Sequence, residues 1–353
     1  MHLQPLLLQR SGDLCEDHRL HLPDMPFLRS TFIALSRNAS IRRFSEASSL
    51  GRRLSSRFVA GLKTDDALNA AAALNAEGIS VTLDSLGENV CSPEQAAHAA
   101  SIYHDLLDAI HRRSLDANVS VKLTQMGMDL DPALAERIVR ELTEHARQTG
   151  SFVRVDMEGS EYTQATIDMV RRIHAELADA GAEPGGAGAR PAGARAEAGN
   201  QEHIGIVIQA YLYRSQADIG VLLKDGIRIR LCKGAYQEPP DKAFPAKAQV
   251  DENFVRLAEI LVASGVYHGI ATHDEAMVEA TRAFVEKQGI ARSAFEFQML
   301  YGIRRDLQRA LVRDGYRVRV YVPFGAEWYP YFMRRLAERP ANVIFLAKNL
   351  LKS

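Results

Sequence analysis

The sequence has few cysteines and no long apolar run. Its cysteines, Cys15, Cys91 and Cys232, lie far apart and form no CxxC pair, so we predict neither a disulfide framework nor a zinc site. No apolar run approaches the roughly 18 residues that a membrane-spanning helix needs. The PLLL stretch near the N-terminus is too short for a secretory signal, and acidic residues follow it closely. These absences favour a cytoplasmic protein and leave peripheral contact with the inner face of a membrane open.

An excess of positive charge is also missing. The 43 Lys and Arg residues nearly balance 44 Asp and Glu residues, for a formal net charge of −1, so we expect no nucleic-acid partner. The sequence contains no HExxH motif, no GxSxG motif and no GxGxxG after a first strand. These gaps argue against a metal site of the zincin type, a hydrolase nucleophile and a doubly wound dinucleotide-binding sheet.

What the chain does have is a regular alternation of strand and helix patterns. Eight short β-rich runs each precede a helical pattern, the count that a closed (β/α)8 TIM-type barrel requires. The predicted strands are ISVTLDS (79–85), NVSVKLTQ (118–125), FVRVDMEG (152–159), IGIVIQAY (204–211), IRIRLCKGA (227–235), HGIATHD (268–274), AFEFQML (294–300) and RVRVYVPFG (317–325).

Two segments fall outside this alternation. Residues 25–77 carry helical spacing, with a predicted helix start at Thr64 and a stop at Gly78. We therefore predict an N-terminal helical arm, 1–77, packed on a barrel of residues 78–353. Residues 178–203 are rich in Gly, Ala and Pro, a composition that buries little apolar surface. We interpret them as a flexible insertion in a loop on the N-terminal face of the barrel.

Polar residues cluster where the predicted strands end. The carboxyl ends of barrel strands form the face where the active sites of such barrels lie. A charge on the opposite, helix-covered side of a strand would be costly, so we predict that these side chains face the mouth. Together with Arg334 and Arg335, the cations Lys122, Arg230 and Lys233 are expected to outnumber the inward carboxylates there. The strand-end residues are Lys122, Asp156, Glu158, Gln209, Tyr211, Arg230, Lys233, Tyr236, Thr272, His273, Asp274, Glu296, Gln298 and Tyr321.

A pair of consecutive arginines, Arg334 and Arg335, follows the last strand in the aromatic segment VYVPFGAEWYPYFMRRL. Arginine forks pair bidentately with carboxylates, so this position indicates an anionic ligand. The residues alone leave other functions open. Lys122 or Lys233 could form the Schiff base of a class I aldolase, and a barrel that only binds a ligand would need none of this chemistry.

The ordered set of motifs resembles the proline dehydrogenase family, whose members are FAD-dependent (β/α)8 barrels. The resemblance covers about residues 28–350, and the length is similar to that of the single-function bacterial type. The motifs are VSVKLTQMG, VRVDMEGS, IGIVIQAYL, IRLCKGAY, GIATHDE, EFQMLYG and YVPFGAEWYPYFMRRL. The resemblance implies oxidation of L-proline to Δ1-pyrroline-5-carboxylate, the first step of proline catabolism to glutamate.

The resemblance also implies a role for each matching position. Lys122, Arg334 and Arg335 would bind the substrate carboxylate, Asp156 would belong to their charge network, and Arg230 would lie beside the reactive edge of the flavin. The other residues that would contact FAD are Met157, Gln209, Lys233, Gly234, Ala235, Thr272 and His273. Those that would line the proline ring are Tyr236, Leu300, Tyr321 and Tyr331. The tyrosine at 321 favours proline over hydroxyproline, whose enzymes have a smaller residue there.

Partners are implied in the same way. The family passes electrons to a membrane quinone, and its product suggests functional coupling to a pyrroline-5-carboxylate dehydrogenase. Two features depart from the family pattern. The Gly/Ala/Pro insertion is not a family motif, and GAEWYPY is shorter than in some relatives, which affects the alignment of Trp328 and Tyr329.

Overall fold

The predicted closed barrel is present. The structure, a computed structural model, describes residues 56–87, 89–181, 203–236 and 238–338, without the side chains of 179–181 and 334–338. Eight parallel strands pair in chain order, and the last strand pairs with the first to close the sheet. The strands are β1 Ser80–Ser85, β2 Ala117–Val121, β3 Val153–Val155, β4 Ile204–Gln209, β5 Arg228–Cys232, β6 Gly269–Ala271, β7 Glu296–Leu300 and β8 Arg317–Phe324.

A helix follows every strand, and one further described helix precedes the first strand. This order confirms the (β/α)8 prediction. The helices are α1 Thr64–Ala76, α2 Pro93–Arg112, α3 Pro132–Thr149, α4 Thr163–Gly181, α5 Ser215–Lys224, α6 Lys247–Ala263, α7 Glu275–Gln288, α8 Arg305–Arg313 and α9 Trp328–Glu338. No helix in the described part of the chain is both long and apolar enough to cross a membrane.

Local sequence signals set several helix ends. α1 begins at the predicted Thr64, and Gly78 follows its end with a φ of +77°, a conformation that glycine adopts without strain. Asp131 caps α3 by accepting a hydrogen bond from the backbone N–H of Ala133 at 2.9 Å. Gly78 thus ends α1 before β1, and Asp131 fixes where α3 begins after the mouth loop that follows β2.

The predicted strands match the observed ones closely, except at their carboxyl ends. Seven of the eight observed strands lie within the predicted runs, and β2 begins one residue early, at Ala117. Several predicted runs continue past the strand, so that Lys122 and Asp156 directly follow β2 and β3. These two side chains therefore belong to the first positions of the mouth loops, whereas Gln209 and Arg230 lie on the strands themselves.

Alternation along each strand separates an apolar outer surface from a polar interior. Val119 and Val121 of β2 are fully buried members of the main hydrophobic core. Ser120 lies between them and contacts Arg230 at 3.2 Å. Arg230 is on β5, which does not pair with β2. The odd members of the strand therefore pack beneath the helices, and the even member points into the barrel.

The base of the barrel holds a buried ion pair that corrects one prediction. Glu296 was expected at the mouth, but it is the first residue of β7 and pairs with Arg319 at 2.8 Å. Both side chains are at most 6% exposed, and Arg319 also donates to the carbonyl of Val81 near the start of β1. The Arg319 guanidinium contributes to holding the pKa of Glu296 at about 2, although burial opposes this shift and is the larger single effect.

Three predictions about chain organisation lie partly outside the described residues. Of the N-terminal arm, residues 1–55 are not described, so that the arm as a whole stays a prediction. α4 continues through Gly181, past the predicted start of the insertion, and residues 182–202 are not described. The barrel belongs to a compact unit, Ala39–Phe332, and the chain from Met333 onward belongs to a second unit.

Candidate active site

Arg230 of β5 extends across the barrel interior and contacts residues of β1, β2 and β7 and of the loop after β3. Its guanidinium donates to Asp156 Oδ1 at 2.9 Å, to Ser120 Oγ at 3.2 Å and to Thr82 Oγ1 at 3.4 Å. Its Nε donates to Gln298 Oε1. The side chain is 7% exposed, so that these bonds fix a nearly buried cation just below the mouth.

Asp156 is the centre of the hydrogen-bond network. Its Oδ2 accepts from the hydroxyl of Tyr321 at 2.8 Å, and its Oδ1 accepts from Ser120 Oγ at 2.6 Å in addition to Arg230. Lys122 Nζ lies 3.9 Å from Oδ2. These bonds hold the carboxylate in one orientation, so the geometry gives Asp156 an orienting role.

The second buried carboxylate of the mouth, Asp84 on β1, was not predicted. Lys122 Nζ donates to Asp84 Oδ1 at 3.0 Å and to Oδ2 at 3.2 Å, and the Asp84 side chain is 1% exposed. Burial raises the pKa of Asp84, and the Lys122 ammonium opposes that rise. Lys122 thus lies between two carboxylates, at 3.0 Å from one and 3.9 Å from the other.

Tyr321 combines a phenol with a neighbouring cation. The guanidinium carbon of Arg230 lies 5.2 Å from the centre of its ring, within the range of a cation–π contact. Burial, followed by the charges of Asp156 and Asp84, raises the pKa of Tyr321. The hydroxyl therefore stays protonated and donates its hydrogen to Asp156.

The predicted excess of positive charge is not found among the described side chains. Lys122 pairs with Asp84, and Arg230 pairs with Asp156. Lys233 pairs at the rim with Asp251 and, at 2.8 Å, with Asp274. The described cations of the mouth are thus matched by carboxylates, two of which, Asp84 and Asp251, come from positions that the strand-end reasoning omitted.

The side of the mouth formed by β3 and β4 offers an unused acceptor. Gln209, at the end of β4, donates from Nε2 to the carbonyls of Met157 and Glu158 at 3.1 and 3.2 Å. Its Oε1 is buried and accepts no hydrogen bond from the described residues. A buried acceptor without a donor is costly, so this atom marks a position where a ligand N–H group would be stabilised.

The loop after β5 approaches this place closely. Gly234 has a φ of +106°, and a Cβ atom there would lie 2.3 Å from the ring of Tyr211. Only glycine fits this combination of backbone angle and space. Ala235 and Tyr236 follow in the same loop, and Tyr236 is 42% exposed, so that its ring lies on the rim and outside the buried part of the mouth.

On the opposite side, the loops after β6 and β7 are tied together. His273 Nε2 accepts from the backbone N–H of Leu300 at 2.8 Å, and this bond fixes the orientation of the imidazole. Thr272 Oγ1 accepts from the N–H of Asp274 at 3.1 Å, and Asp274 in turn caps α7. Thr272, His273 and Leu300 therefore lie together at the mouth.

The remaining predicted positions are on α9. Tyr331 is buried on this helix. Arg334 and Arg335 belong to the same helix, but their side chains lie outside the described residues. Their predicted contact with a carboxylate stays a prediction.

Fold and site together define an enzyme class: a TIM barrel with a buried, preorganised polar site at the carboxyl ends of its strands. The profile described as Proline dehydrogenase matches residues 67–348. Proline dehydrogenase 1 of Bacillus subtilis (strain 168) is 38% identical over 326 residues, which cover 92% of this chain and 99% of the relative. Proline dehydrogenase of Deinococcus radiodurans is 40% identical over 308 residues, which cover 85% and 90%. The chain belongs to the proline dehydrogenase family.

Solved structures with the same fold are also similar to this chain. Proline utilization A (PutA) from Bdellovibrio bacteriovorus superposes with a TM-score of 0.72 at 24% identity, over 88% of this chain and 36% of that one. A PutA from Bradyrhizobium japonicum gives 0.64 at 22% identity, over 81% and 31%. The chain thus spans about a third of these PutA proteins, and at this identity the likeness concerns the fold alone.

Proposed function

We propose that the protein oxidises L-proline to Δ1-pyrroline-5-carboxylate by hydride transfer to FAD, the first step of proline catabolism to glutamate. The observation that carries this proposal is the buried network of Lys122, Asp156, Arg230 and Tyr321 at the mouth of a barrel of this family. The family resemblance assigns a role in the site to each of these four residues. Such a network provides fixed charges around a small polar ligand.

The described residues fit a flavin. The unused acceptor of Gln209 suits an N–H of the ring, and Gly234 lets the loop after β5 pack closely against Tyr211. Arg230 offers a fixed positive charge toward the electron-rich reduced ring. We assign FAD contacts to Arg230, Met157, Gln209, Lys233, Gly234, Ala235, Thr272 and His273. The chemistry that bound FAD supplies is acceptance of a hydride.

The substrate is held by charge at one end and by aromatic side chains at the other. Lys122, Arg334 and Arg335 bind the carboxylate in this proposal, with the role of both arginines taken from the family resemblance. Proline with a neutral amine loses a hydride from C5 to bound FAD, and the nitrogen lone pair forms the C=N bond of a protonated imine, which then releases its N–H proton to water. The carboxylate of Asp156 contacts Arg230 and Tyr321 and orients these two groups.

The aldolase alternative is less well supported by the geometry. A Schiff base requires a neutral amine. Lys122 lies between Asp84 and Asp156, and Lys233 lies between Asp251 and Asp274, surroundings that suit an ammonium. We expect that treatment with borohydride and a carbonyl substrate labels neither lysine. Such a result would agree with this argument.

Hydroxyproline is the rival substrate within the family. Tyr321 is partly buried and contacts Asp156 and Arg230, and in this proposal its ring occupies the space that an added hydroxyl would need. Comparison of kcat/KM for L-proline and trans-4-hydroxy-L-proline in the wild type and Tyr321→Ala tests this assignment. We expect a strong preference for proline in the wild type and a smaller preference in the variant.

The carboxylate site is tested with Arg334→Met. We expect a large rise in KM for L-proline while FAD stays bound, because a charged contact is lost and the flavin contacts are not. Arg137→Met, at an exposed position of α3, is the matched control and should leave KM unchanged. An unchanged KM in Arg334→Met would remove this arginine from the site.

The electron acceptor in the proposal is a membrane quinone, reached by a cytoplasmic protein at the inner face of the membrane. The support is the family resemblance. Proline-dependent reduction of a quinone in lipid vesicles, compared with a soluble dye, tests the acceptor. Addition of a pyrroline-5-carboxylate dehydrogenase then tests whether the product is passed on faster than free diffusion allows.

A further inference from the structure

We propose that Asp84 is a positioning residue, which holds the Lys122 ammonium in place at the barrel mouth so that Lys122 can bind the carboxylate of the substrate. The inference rests on the proposed function, since it gives Lys122 a role through that carboxylate. The pattern of polar residues at the strand ends did not assign Asp84 a function. Its proposed role rests on the geometry of the site alone.

The two groups form a close pair with little access to water. Lys122 Nζ contacts both oxygens of Asp84, at 3.0 and 3.2 Å, and the side chains are 11% and 1% exposed. Asp156 is farther away, at 3.9 Å, and is already engaged by Arg230, Tyr321 and Ser120. Asp84 is therefore the main described partner that fixes the direction of the ammonium.

Asp84 is itself held by a buried phenol. The hydroxyl of Tyr103, on α2, lies 3.3 Å from Asp84 Oδ1 and 3.1 Å from Gln125 Oε1, and accepts from the backbone N–H of Ser85 at 3.2 Å. Tyr103 is fully buried. The position of Lys122 thus depends on β1 and on α2 behind it, and not only on its own strand.

The charge of Asp84 matters because Lys122 is nearly buried. The loss of Asp84 takes away the nearer carboxylate and leaves Asp156 at 3.9 Å. A nearly buried ammonium that loses a close carboxylate gives up its proton more readily. In Asp84→Asn the shape is preserved and the charge is lost. Lys122 then becomes a neutral amine as the pH rises, and a neutral amine no longer attracts a carboxylate.

The binding experiment uses the FAD-loaded full chain and cyclopentanecarboxylate, which has the ring and carboxylate of proline but no amine to oxidise. Binding is measured by calorimetry from pH 7 to 9. We expect Kd to be constant with pH in the wild type. In Asp84→Asn we expect Kd to rise at least about tenfold, the effect of weakening one charge-assisted contact, and to rise further toward pH 9.

A double-mutant cycle shows whether Asp84 acts through Lys122. In a Lys122→Met background, Asp84→Asn should change Kd by less than about twofold, since the group that it positions is gone. Equal effects in both backgrounds would overturn the proposal, as would an unchanged Kd in Asp84→Asn. Asp116→Asn is the matched control, because Asp116 accepts from Ser80 at the opposite end of the same two strands.

Labelling with acetic anhydride gives a readout that does not need substrate. Mass spectrometry compares acetylation of Lys122 with that of the exposed Lys224. We expect more Lys122 acetylation in Asp84→Asn than in the wild type, since only the neutral amine reacts. Equal labelling would contradict the proposal. If the wild type bound neither L-proline nor cyclopentanecarboxylate, the proposed function would fail, and labelling would still decide whether Asp84 holds Lys122.

A folding defect in Asp84→Asn would also allow the proposal to be tested, through a second variant. If Asp84→Asn does not fold, the neutral pair Asp84→Asn with Lys122→Met should fold and retain FAD, because no lone charge is left buried. Failure of this pair as well would assign Asp84 to packing alone and overturn the proposal.

Discussion

The hydroxyl of Tyr321 on β8 donates a 2.8 Å hydrogen bond to Asp156, which follows β3 on the other side of the barrel. Arg230 contacts both residues, with Nη1 2.9 Å from Asp156 Oδ1 and its guanidinium carbon 5.2 Å from the centre of the Tyr321 ring. The three side chains form one unit that joins β3, β5 and β8. A change in any one of them should disturb the positions of the other two.

Tyr321→Phe removes the hydrogen bond and keeps the ring. We expect kcat/KM for L-proline to fall about tenfold, the usual effect of losing one bond to a charged group, with FAD still bound. Steady-state kinetics and the flavin spectrum measure the two effects separately. Tyr213→Phe, at the exposed rim where the hydroxyl donates to the carbonyl of Pro240, should behave like the wild type. Wild-type kinetics in Tyr321→Phe would show that this bond does not contribute.

Gly234→Ala should weaken FAD binding. The residue has a φ of +106°, and the added methyl group would lie 2.3 Å from Tyr211, so that the loop carrying Lys233 and Ala235 must move. We expect FAD to be lost more readily on dialysis. In α5, Gly220 has nothing within 4 Å of an added Cβ, and Gly220→Ala should raise stability by roughly 0.5–1 kcal/mol. Equal FAD retention in both variants would contradict the account.

Glu296→Gln should lower stability without changing the chemistry of the mouth. The substitution leaves Arg319 buried without its carboxylate, a situation that costs about 3–5 kcal/mol. Denaturant unfolding measures the loss, and Glu286→Gln on the exposed side of α7 is the control. The apolar pair Glu296→Leu with Arg319→Met should recover much of the stability. A loss below about 1 kcal/mol in the single variant would show that the pair is not buried as described.

His268 should make the fold sensitive to acid. Burial, followed by the charges of Arg154 and Arg228, lowers the pKa of His268 to about 3, and its Nδ1 accepts from the backbone N–H of Ile229 at 3.0 Å. Since the folded pKa is below the unfolded value near 6.5, the neutral form favours folding. Its contribution is complete above about pH 6.5 and is lost as the pH falls toward 3.

The size of this effect is on the order of 4 kcal/mol at its limit. His268→Gln keeps an acceptor for Ile229 and cannot be protonated. We expect the variant to show a shallower loss of unfolding free energy between pH 6.5 and 4.5 than the wild type. His98→Gln, at an exposed position of α2, should keep the wild-type slope. Identical slopes in the wild type and His268→Gln would contradict the assignment.

The barrel could be predicted from sequence because each strand carries its own signal. Period-two alternation, as in VSVKLTQ and VRVDMEG, identifies strands and their polar faces, and the strand count then selects a closed barrel. The order of the motifs further identified the family. These signals are local, so they can be read from the sequence without knowledge of the tertiary contacts.

The partners of the site residues could not be predicted in the same way. Alternation places Glu296 and Gln298 on one face of β7 but does not say which end of the barrel each occupies. Glu296 begins the strand and pairs with Arg319 at the base. Asp84 follows an apolar residue near the end of the strand run SVTLDS, as Asp156 does in FVRVDM. The sequence pattern could therefore have indicated Asp84 as a mouth residue. Its pairing with Lys122 depends on the register of β1 against β2, and this register cannot be read from the sequence.

The most direct test of the proposed function is the visible absorption spectrum of the purified protein, before and after L-proline is added without oxygen. The account predicts flavin bands that bleach on addition of L-proline. Flavin bands that persist would contradict proline as the substrate. A colourless protein that takes up no added FAD would contradict the flavoenzyme assignment itself.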